Sequence, residues 1–387
     1  MTAEHFSQKK YTKPSHILFL TALILIFSVG AQLVPETSLA SAPTDDKPHA
    51  VPLKIITKTD EGTPLNYPSQ VLYEPSANEI YVLTGGDSRI VVYDADYFPL
   101  ISVGKGRGLM ASRGVYLSPD GQKFYIMQGQ YDGMPARLTI MNAAFLPDKE
   151  FFLDVDRKAK NFSPSRMAIG KNGEIYLLAD GKPDVLVIDN EGNFLRWFPE
   201  YKRKRSSRYK DVKKRKTTLI DIKIDSKGRI FLLSEETSHI YIYGPDEDFL
   251  FRFGNKGGSS GKTSRPRCLA LDEKRQLIYV TDYMRHTVVV YDFEGNFRFE
   301  FGGRGWGPGW FNYPNSITVD EQGNVIVSEL FNHRMQVLKI VIPGEMIVAS
   351  EEPIDQQQQT EPTDSVYSES FNTLFDHVFK EPENITE

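Results

Sequence analysis

The stretch "DYMRHTVVVYDFEGNFRFEFGGRGWGPGWFNYPNSITVD", residues 282–320, reads as strand, turn, strand, turn, with almost no room for a helix. Aromatic and β-branched residues alternate in "HTVVVYD" and "FRFEFG", as half-buried strands require. The "EGN" between them supplies residues that tolerate the positive φ of a tight turn. Immediately downstream, "ELFNHRMQVLKI" (329–340) looks like the opening of this stretch written a second time.

The same unit recurs along the chain. Its marker is a strand with an apolar or aromatic centre: "EIYVL" (79–83), "KFYIM" (123–127), "EIYLL" (174–178), "RIFLL" (229–233), "LIYVT" (277–281) and "NVIVS" (324–328). The central residues Tyr81, Tyr125, Tyr176, Phe231, Tyr279 and Ile326 are 44, 51, 55, 48 and 47 residues apart. A period of roughly 40–50 residues with four strands per unit is the signature of propeller blades. The last unit lacks a fourth strand, whereas "VPLKIITKTDEG" (51–62) stands as a spare strand ahead of the first. Pairing the two closes the ring and removes its exposed edges. The expectation is an all-β, six-bladed propeller over residues 51–343, closed by an N-terminal strand, with flexible N- and C-terminal extensions. A two-sheet sandwich explains neither the period nor the displaced strand. Composition agrees: among 387 residues, 24 Phe, 19 Tyr, 29 Gly and 23 Pro are spread along the chain, as in a protein of many strands and turns.

The segments "RPRCLALDEKRQLIYVTDYMRHTVVVYDFEGNFRFEFG" and "YPNSITVDEQGNVIVSELFNHRMQVL" resemble NHL repeats, and the resemblance extends loosely over the other units. It implies the propeller. It says little about chemistry, because the fold hosts many functions. Members of that family with lyase activity use metal-binding histidines near the channel. Here His239, His286 and His333 recur at intervals of 47 residues, at the start of the third strand. Neighbouring blades would hold them too far apart for one ion, so they read as packing residues of the repeat, with no metal and no cofactor expected.

The N-terminus reads as an address. Lys9, Lys10 and Lys13 precede an apolar run, and small residues at "SVGA" (28–31) fit a cleavage site. Residues 17–34 are also about long enough for an uncleaved membrane anchor. Residues 1–50 are therefore a signal peptide or anchor plus linker, and the remainder is expected in the periplasm or outside the cell. One cysteine, Cys268, excludes an intramolecular disulfide, a c-type haem site and a zinc ribbon.

Candidate binding residues follow from aligning the first strands, which line a propeller's channel. The position before each apolar triplet carries Gln70, Gly114, Arg166, Asp221, Cys268 or Ser316, and the position before that Ser69, Arg113, Ser165, Ile220, Arg267 or Asn315. Gln70, Arg113, Arg166, Asp221, Arg267 and Asn315 are the expected channel-mouth set. Their arginines could offer bidentate donors to an anion.

Two charged segments flank this picture. "YKRKRSSRYKDVKKRKTT" (201–218) holds ten Lys/Arg and one acid, with Lys202, Arg203, Lys204, Arg205, Lys213, Lys214, Arg215 and Lys216 at its core. In an exported protein this loop would meet an anionic polymer, lipid headgroups or an acidic protein rather than nucleic acid. The tail, 344–387, has eleven Asp/Glu and one Lys and reads as disordered, with an amphipathic helix possible over "SFNTLFDHVF". No nucleophile elbow or phosphate loop appears. The expectation is a binding scaffold for a partner in a cell-envelope complex. A metal-dependent lyase or hydrolase of the six-bladed type is the alternative.

Overall fold

A computed structural model describes residues 47–179, 182–199 and 218–344. It contains 24 strands in six four-stranded antiparallel sheets. Blade 1 is built from β2 (Pro68–Glu74), β3 (Glu79–Thr84), β4 (Arg89–Tyr93) and β5 (Pro99–Val103). Blade 2 has β6 (Ser112–Leu117), β7 (Lys123–Gln128), β8 (Arg137–Asn142) and β9 (Pro147–Phe152); blade 3 has β10 (Pro164–Ile169), β11 (Ile175–Ala179), β12 (Val185–Ile188) and β13 (Phe194–Phe198). Blade 4 has β14 (Leu219–Ile224), β15 (Ile230–Ser234), β16 (Ile240–Tyr243) and β17 (Phe249–Phe253); blade 5 has β18 (Pro266–Asp272), β19 (Leu277–Asp282), β20 (Thr287–Asp292) and β21 (Phe297–Gly302). Blade 6 combines β22 (Pro314–Val319), β23 (Asn324–Glu329) and β24 (Arg334–Val341) with β1 (His49–Ile56).

The ring is closed as the spare strand implied. β1 pairs antiparallel with β24, from His49 opposite Val341 to Ile56 opposite Met335. Pairing starts two residues earlier than the sequence pattern indicated, because β24 runs on to Val341 and offers partners to His49 and Ala50.

Turn chemistry fixes the hairpins. Asp292 Oδ1 accepts from Asn296 N at 2.8 Å and Asp189 Oδ1 from Asn193 N at 2.8 Å, each an Asx turn between third and fourth strands. Gly295 and Gly192 follow at φ 89° and 86°, where a side chain would be strained.

Period-2 alternation sends successive side chains of each strand to opposite neighbours. In β19, Leu277 and Tyr279 pack with Val325, Val327 and Leu338 of blade 6, whereas Ile278 and Val280 pack with Phe231, Leu233 and Ile242 of blade 4. Six such clusters fill the six gaps between blades. The gap between blades 6 and 1 joins Ile326, Met335 and Val337 to Val71, Val82 and Tyr93. The core is therefore a circle of sheet-to-sheet contacts around a channel, with first strands innermost. Among the described residues no helix is long and apolar enough to cross a membrane. The run at 17–34 lies outside the described residues, as do 201–217 and 345–387.

Candidate functional site

Every first strand carries a register shift near its start. Pro68 opposes Thr84 and Gln70 opposes Leu83, leaving Ser69 as the extra residue. Arg113, Ser165, Ile220 and Asn315 are skipped in the same way in blades 2, 3, 4 and 6. In blade 5 the shift spans Arg267 and Cys268. A bulge re-aims the side chain it carries. Here the result is convergence: Ser69, Arg113, Ser165, Ile220, Arg267 and Asn315 line one cavity of about 260 Å³ at the mouth of the channel, joined by Gly85, Ser112 and Arg166.

Arg113, Arg166, Arg267 and Asn315 of the expected set are thus brought together. Gln70 and Asp221 do not line this cavity. Gln70 is buried, its Nε2 donating to Val115 O at 2.8 Å while its Oε1 accepts from Val115 N at 2.9 Å. Asp221 is fully buried and accepts from Leu269 N at 2.7 Å. Ser316 Oγ likewise accepts from Val71 N at 3.2 Å. First strands are sheet edges, so alternate backbone groups point away from their own blade. The side chain just after the bulge satisfies those of the next blade. At Gly114 the neighbours touch directly: a Cβ there would lie 2.3 Å from Ser165 O. Aligning sequences located both neighbouring positions but could not say which faces the channel, because the bulge exchanges the faces.

The cavity wall is electropositive and incompletely paired. Arg166 Nη1 donates to Ser165 O at 2.8 Å, but its Nε stands 3.8 Å from Asp221 Oδ1, beyond hydrogen-bond range. Arg267 Nη1 lies 3.4 Å from Glu235 Oε2, a carboxylate shared with Arg265. The Nε atoms of Arg166 and Arg267 and Ser112 Oγ are buried without a hydrogen-bond partner. A buried polar atom left unpaired costs about 1–3 kcal/mol.

From Arg267 an arc of aromatic side chains runs over blades 5, 6 and 1, and it was not picked out in the sequence. Ring centroids step from Tyr283 to Tyr313 (4.6 Å), from Tyr313 to Phe331 (5.0 Å) and from Phe331 to Tyr67 (6.1 Å). The Arg267 guanidinium lies 5.1 Å from the Tyr283 ring centre. Tyr67 and Tyr313 have φ of 52° and 58°, unusual for bulky residues. The signal was present: "NYP" occurs twice, at 66–68 and 312–314, each time just before a first strand.

His286 and His333 tie neighbouring blades together, whereas His239 packs within blade 4. Tyr313 N donates to His286 Nδ1 at 3.0 Å, Tyr67 N donates to His333 Nδ1 at 3.3 Å, and His239 Nδ1 lies 2.7 Å from Gly254 O. Burial and the nearby Arg304 hold the His286 imidazole below its ordinary pKa. No group of three or more His, Cys, Asp or Glu able to hold a metal occurs among the described residues. Cys268 is buried, and burial pushes its thiol pKa up. The basic-loop residues Lys202, Arg203, Lys204, Arg205, Lys213, Lys214, Arg215 and Lys216 lie outside the described residues.

Residues 269–334 match a family profile described as a 6-bladed beta-propeller, DUF5128. No curated protein matches the chain. Among solved structures, a protein of unknown function from Bacteroides thetaiotaomicron VPI-5482 superposes with TM-score 0.57 at 12% identity, covering 76% of this chain and 77% of that one. An auxiliary nutrient binding protein from the same organism gives 0.55 at 14%, over 75% and 76% of the two chains. Another of that name, from Bacteroides ovatus ATCC 8483, gives 0.55 at 15%, over 76% and 78%. At such identities the likeness is one of fold, and the fold is the six-bladed β-propeller.

Proposed function

We propose that this chain is an exported, NHL-type propeller with a binding rather than a catalytic role, taking a ligand in the cell envelope at the mouth of its channel. The observation that carries this reading is the convergence of six bulge residues, one per blade, on a single cavity with three arginines. Convergent polar groups in a concave place are the default binding site. Export is supported by the leader-like N-terminus. Two proteins of similar fold carry the name auxiliary nutrient binding protein, which accords with a ligand-holding role. The basic segment at 202–216 would add a second contact for an anionic polymer, lipid headgroups or an acidic partner protein, sensitive to salt.

The test is a thermal-shift panel of chemically varied anions on the full chain and on the Arg113→Gln/Arg267→Gln variant. A ligand at a hundred times its Kd stabilises by about 2.7 kcal/mol, worth roughly 5 °C at about 2 °C per kcal/mol. At least one anion should raise the parent's Tm by that order, and the variant should lose most of the shift. A panel that leaves the parent unmoved, or moves both equally, overturns the assignment.

A further inference from the structure

The mouth is two-sided. Cations stand at blades 2, 3 and 5, on Arg113, Arg166 and Arg267, whereas blades 5, 6 and 1 carry the aromatic arc. The rest of the wall is Ser69, Ser112, Ser165 and Asn315, with Gly85 and Ile220. Ser112 Oγ, on a residue only 8% exposed, has no hydrogen-bond partner. Serine hydroxyls both donate and accept, as do the hydroxyls of a sugar. A cavity of about 260 Å³ falls just below the usual small-molecule range of roughly 300–1,000 Å³, so one terminal group of a longer ligand fits better than a whole one.

Exposed aromatic side chains also occupy blade 6 and the loop that enters it. Tyr67 and Phe331 are 42% and 44% exposed, and Trp310 and Trp306 are 52% and 73% exposed. The tryptophans sit on the loop between β21 and β22, which is held rigidly. Arg334 donates to Trp306 O at 2.7 Å and Trp310 O at 2.9 Å, and is itself paired with buried Glu329 at 2.6 Å. Asn332 Nδ2, next to Phe331, donates to Gly305 O of the same loop at 3.3 Å. Glycines leave room for the Trp310 ring: a Cβ on Gly303 would lie 2.7 Å from it. Two tyrosines of the arc also occupy left-handed backbone positions that Asn or Gly would fill with less strain. Ala111 has φ 48° at the same place before β6, so this conformation belongs to the entry of the blade.

We infer that the ligand is an acidic oligosaccharide. A terminal carboxylated sugar enters the cavity against Arg113, Arg166 and Arg267. The following sugars lie across Tyr67 and Phe331 toward Trp310 and Trp306. This rests on the proposed binding role and names its ligand class. Guanidinium forks match carboxylates, and flat aromatic faces match the apolar faces of sugar rings. The serines and Asn315 take the hydroxyls.

The experiment uses calorimetry and tryptophan fluorescence on the full chain. The probes are trigalacturonate, monomeric galacturonate, a neutral trisaccharide of galactose, triglutamate peptide and inorganic phosphate. Trigalacturonate should bind at least about tenfold more tightly than the neutral trisaccharide or the peptide and should change tryptophan emission. Monomeric galacturonate should bind without that change. The Tyr67→Asn variant suits a left-handed backbone, so it should be as stable as the parent yet bind the trimer about tenfold more weakly, as loss of a binding hot spot does. Joint Trp306→Ala and Trp310→Ala replacement should weaken the trimer and spare the monomer. Equal binding of the neutral trisaccharide, or tighter binding of triglutamate or phosphate, sinks the saccharide assignment while leaving an anion site at the mouth intact. If no probe binds and the anion panel is also silent, both readings fall.

Discussion

Replacing Gln70 with Met tests whether the residue after each bulge is a structural tie or part of the binding mouth. The two side chains are close in volume, so the change opens no large cavity. It removes two hydrogen bonds, from Gln70 Nε2 to Val115 O and from Val115 N to Gln70 Oε1. Val115 is buried on β6, and Gln70 meets both of its backbone groups on the side that blade 1 covers. Each group left unpaired costs about 1–3 kcal/mol, so the pair costs about 2–6 kcal/mol. At roughly 2 °C per kcal/mol for a large domain, the melting midpoint should fall by about 4–12 °C. Calorimetry reads the midpoint, and hydrogen exchange at the Val115 amide reads the bond itself, which should exchange faster than in the parent. Binding of an anion at the mouth should be unaltered, because Gln70 does not line the cavity. A midpoint within about 1 °C of the parent, with unchanged Val115 exchange, would show that the blades need no such tie and would refute the reasoning.

Deleting residues 49–56 should expose β24 and turn a soluble ring into an aggregating one, measured by light scattering and size exclusion; a soluble, cooperatively unfolding deletion would contradict closure by β1. Burial and Arg304 depress the His286 pKa, with Asp282 partly opposing, so the folded state binds fewer protons there than the unfolded chain. Its contribution is therefore complete above the ordinary imidazole range and lost as pH falls through it. Denaturation at pH 8 and pH 5.5 should reveal a larger acid loss in the parent than in His286→Asn, which tolerates the φ of 58°; equal losses would remove His286 from the account.

What the sequence disclosed was periodic. Blade number, turn positions and the displaced strand all follow from a repeat of roughly 50 residues, because each blade must bury both faces against like neighbours. Tyr279 illustrates it: its place at the centre of "LIYVT" already required the burial it has, fully enclosed between blades 5 and 6. The candidate site was legible only to within one residue. Arg113 and Arg267 lie on the bulges, and Asn315 with them, but Gln70 and Asp221 belong to the neighbouring position that faces the next blade. A bulge is set by the geometry of two strands, and a single strand's residue pattern does not announce it. The aromatic arc was harder still, since its members come from two different links in three blades and meet only when the ring closes.

The bulge and the tie are two halves of one device. The register shift gives one residue per blade to the channel and the next to the adjoining blade. The residue after the bulge must satisfy a neighbour's edge, so its options are narrow: an amide at Gln70, a carboxylate at Asp221, a hydroxyl at Ser316, or no side chain at Gly114, where blades 2 and 3 touch. The bulge residue itself faces the cavity, so its chemistry is set by what the cavity holds rather than by what closes the ring. That separation explains how Ser69, Arg113, Ser165, Ile220, Arg267 and Asn315 can occupy equivalent places with such different side chains. It also makes Arg113 and Arg267 better targets than Arg166 for altering the mouth. Arg166 lines the cavity, yet it occupies the tie position, donates to Ser165 O and stands over Asp221, so changing it perturbs scaffold and site together.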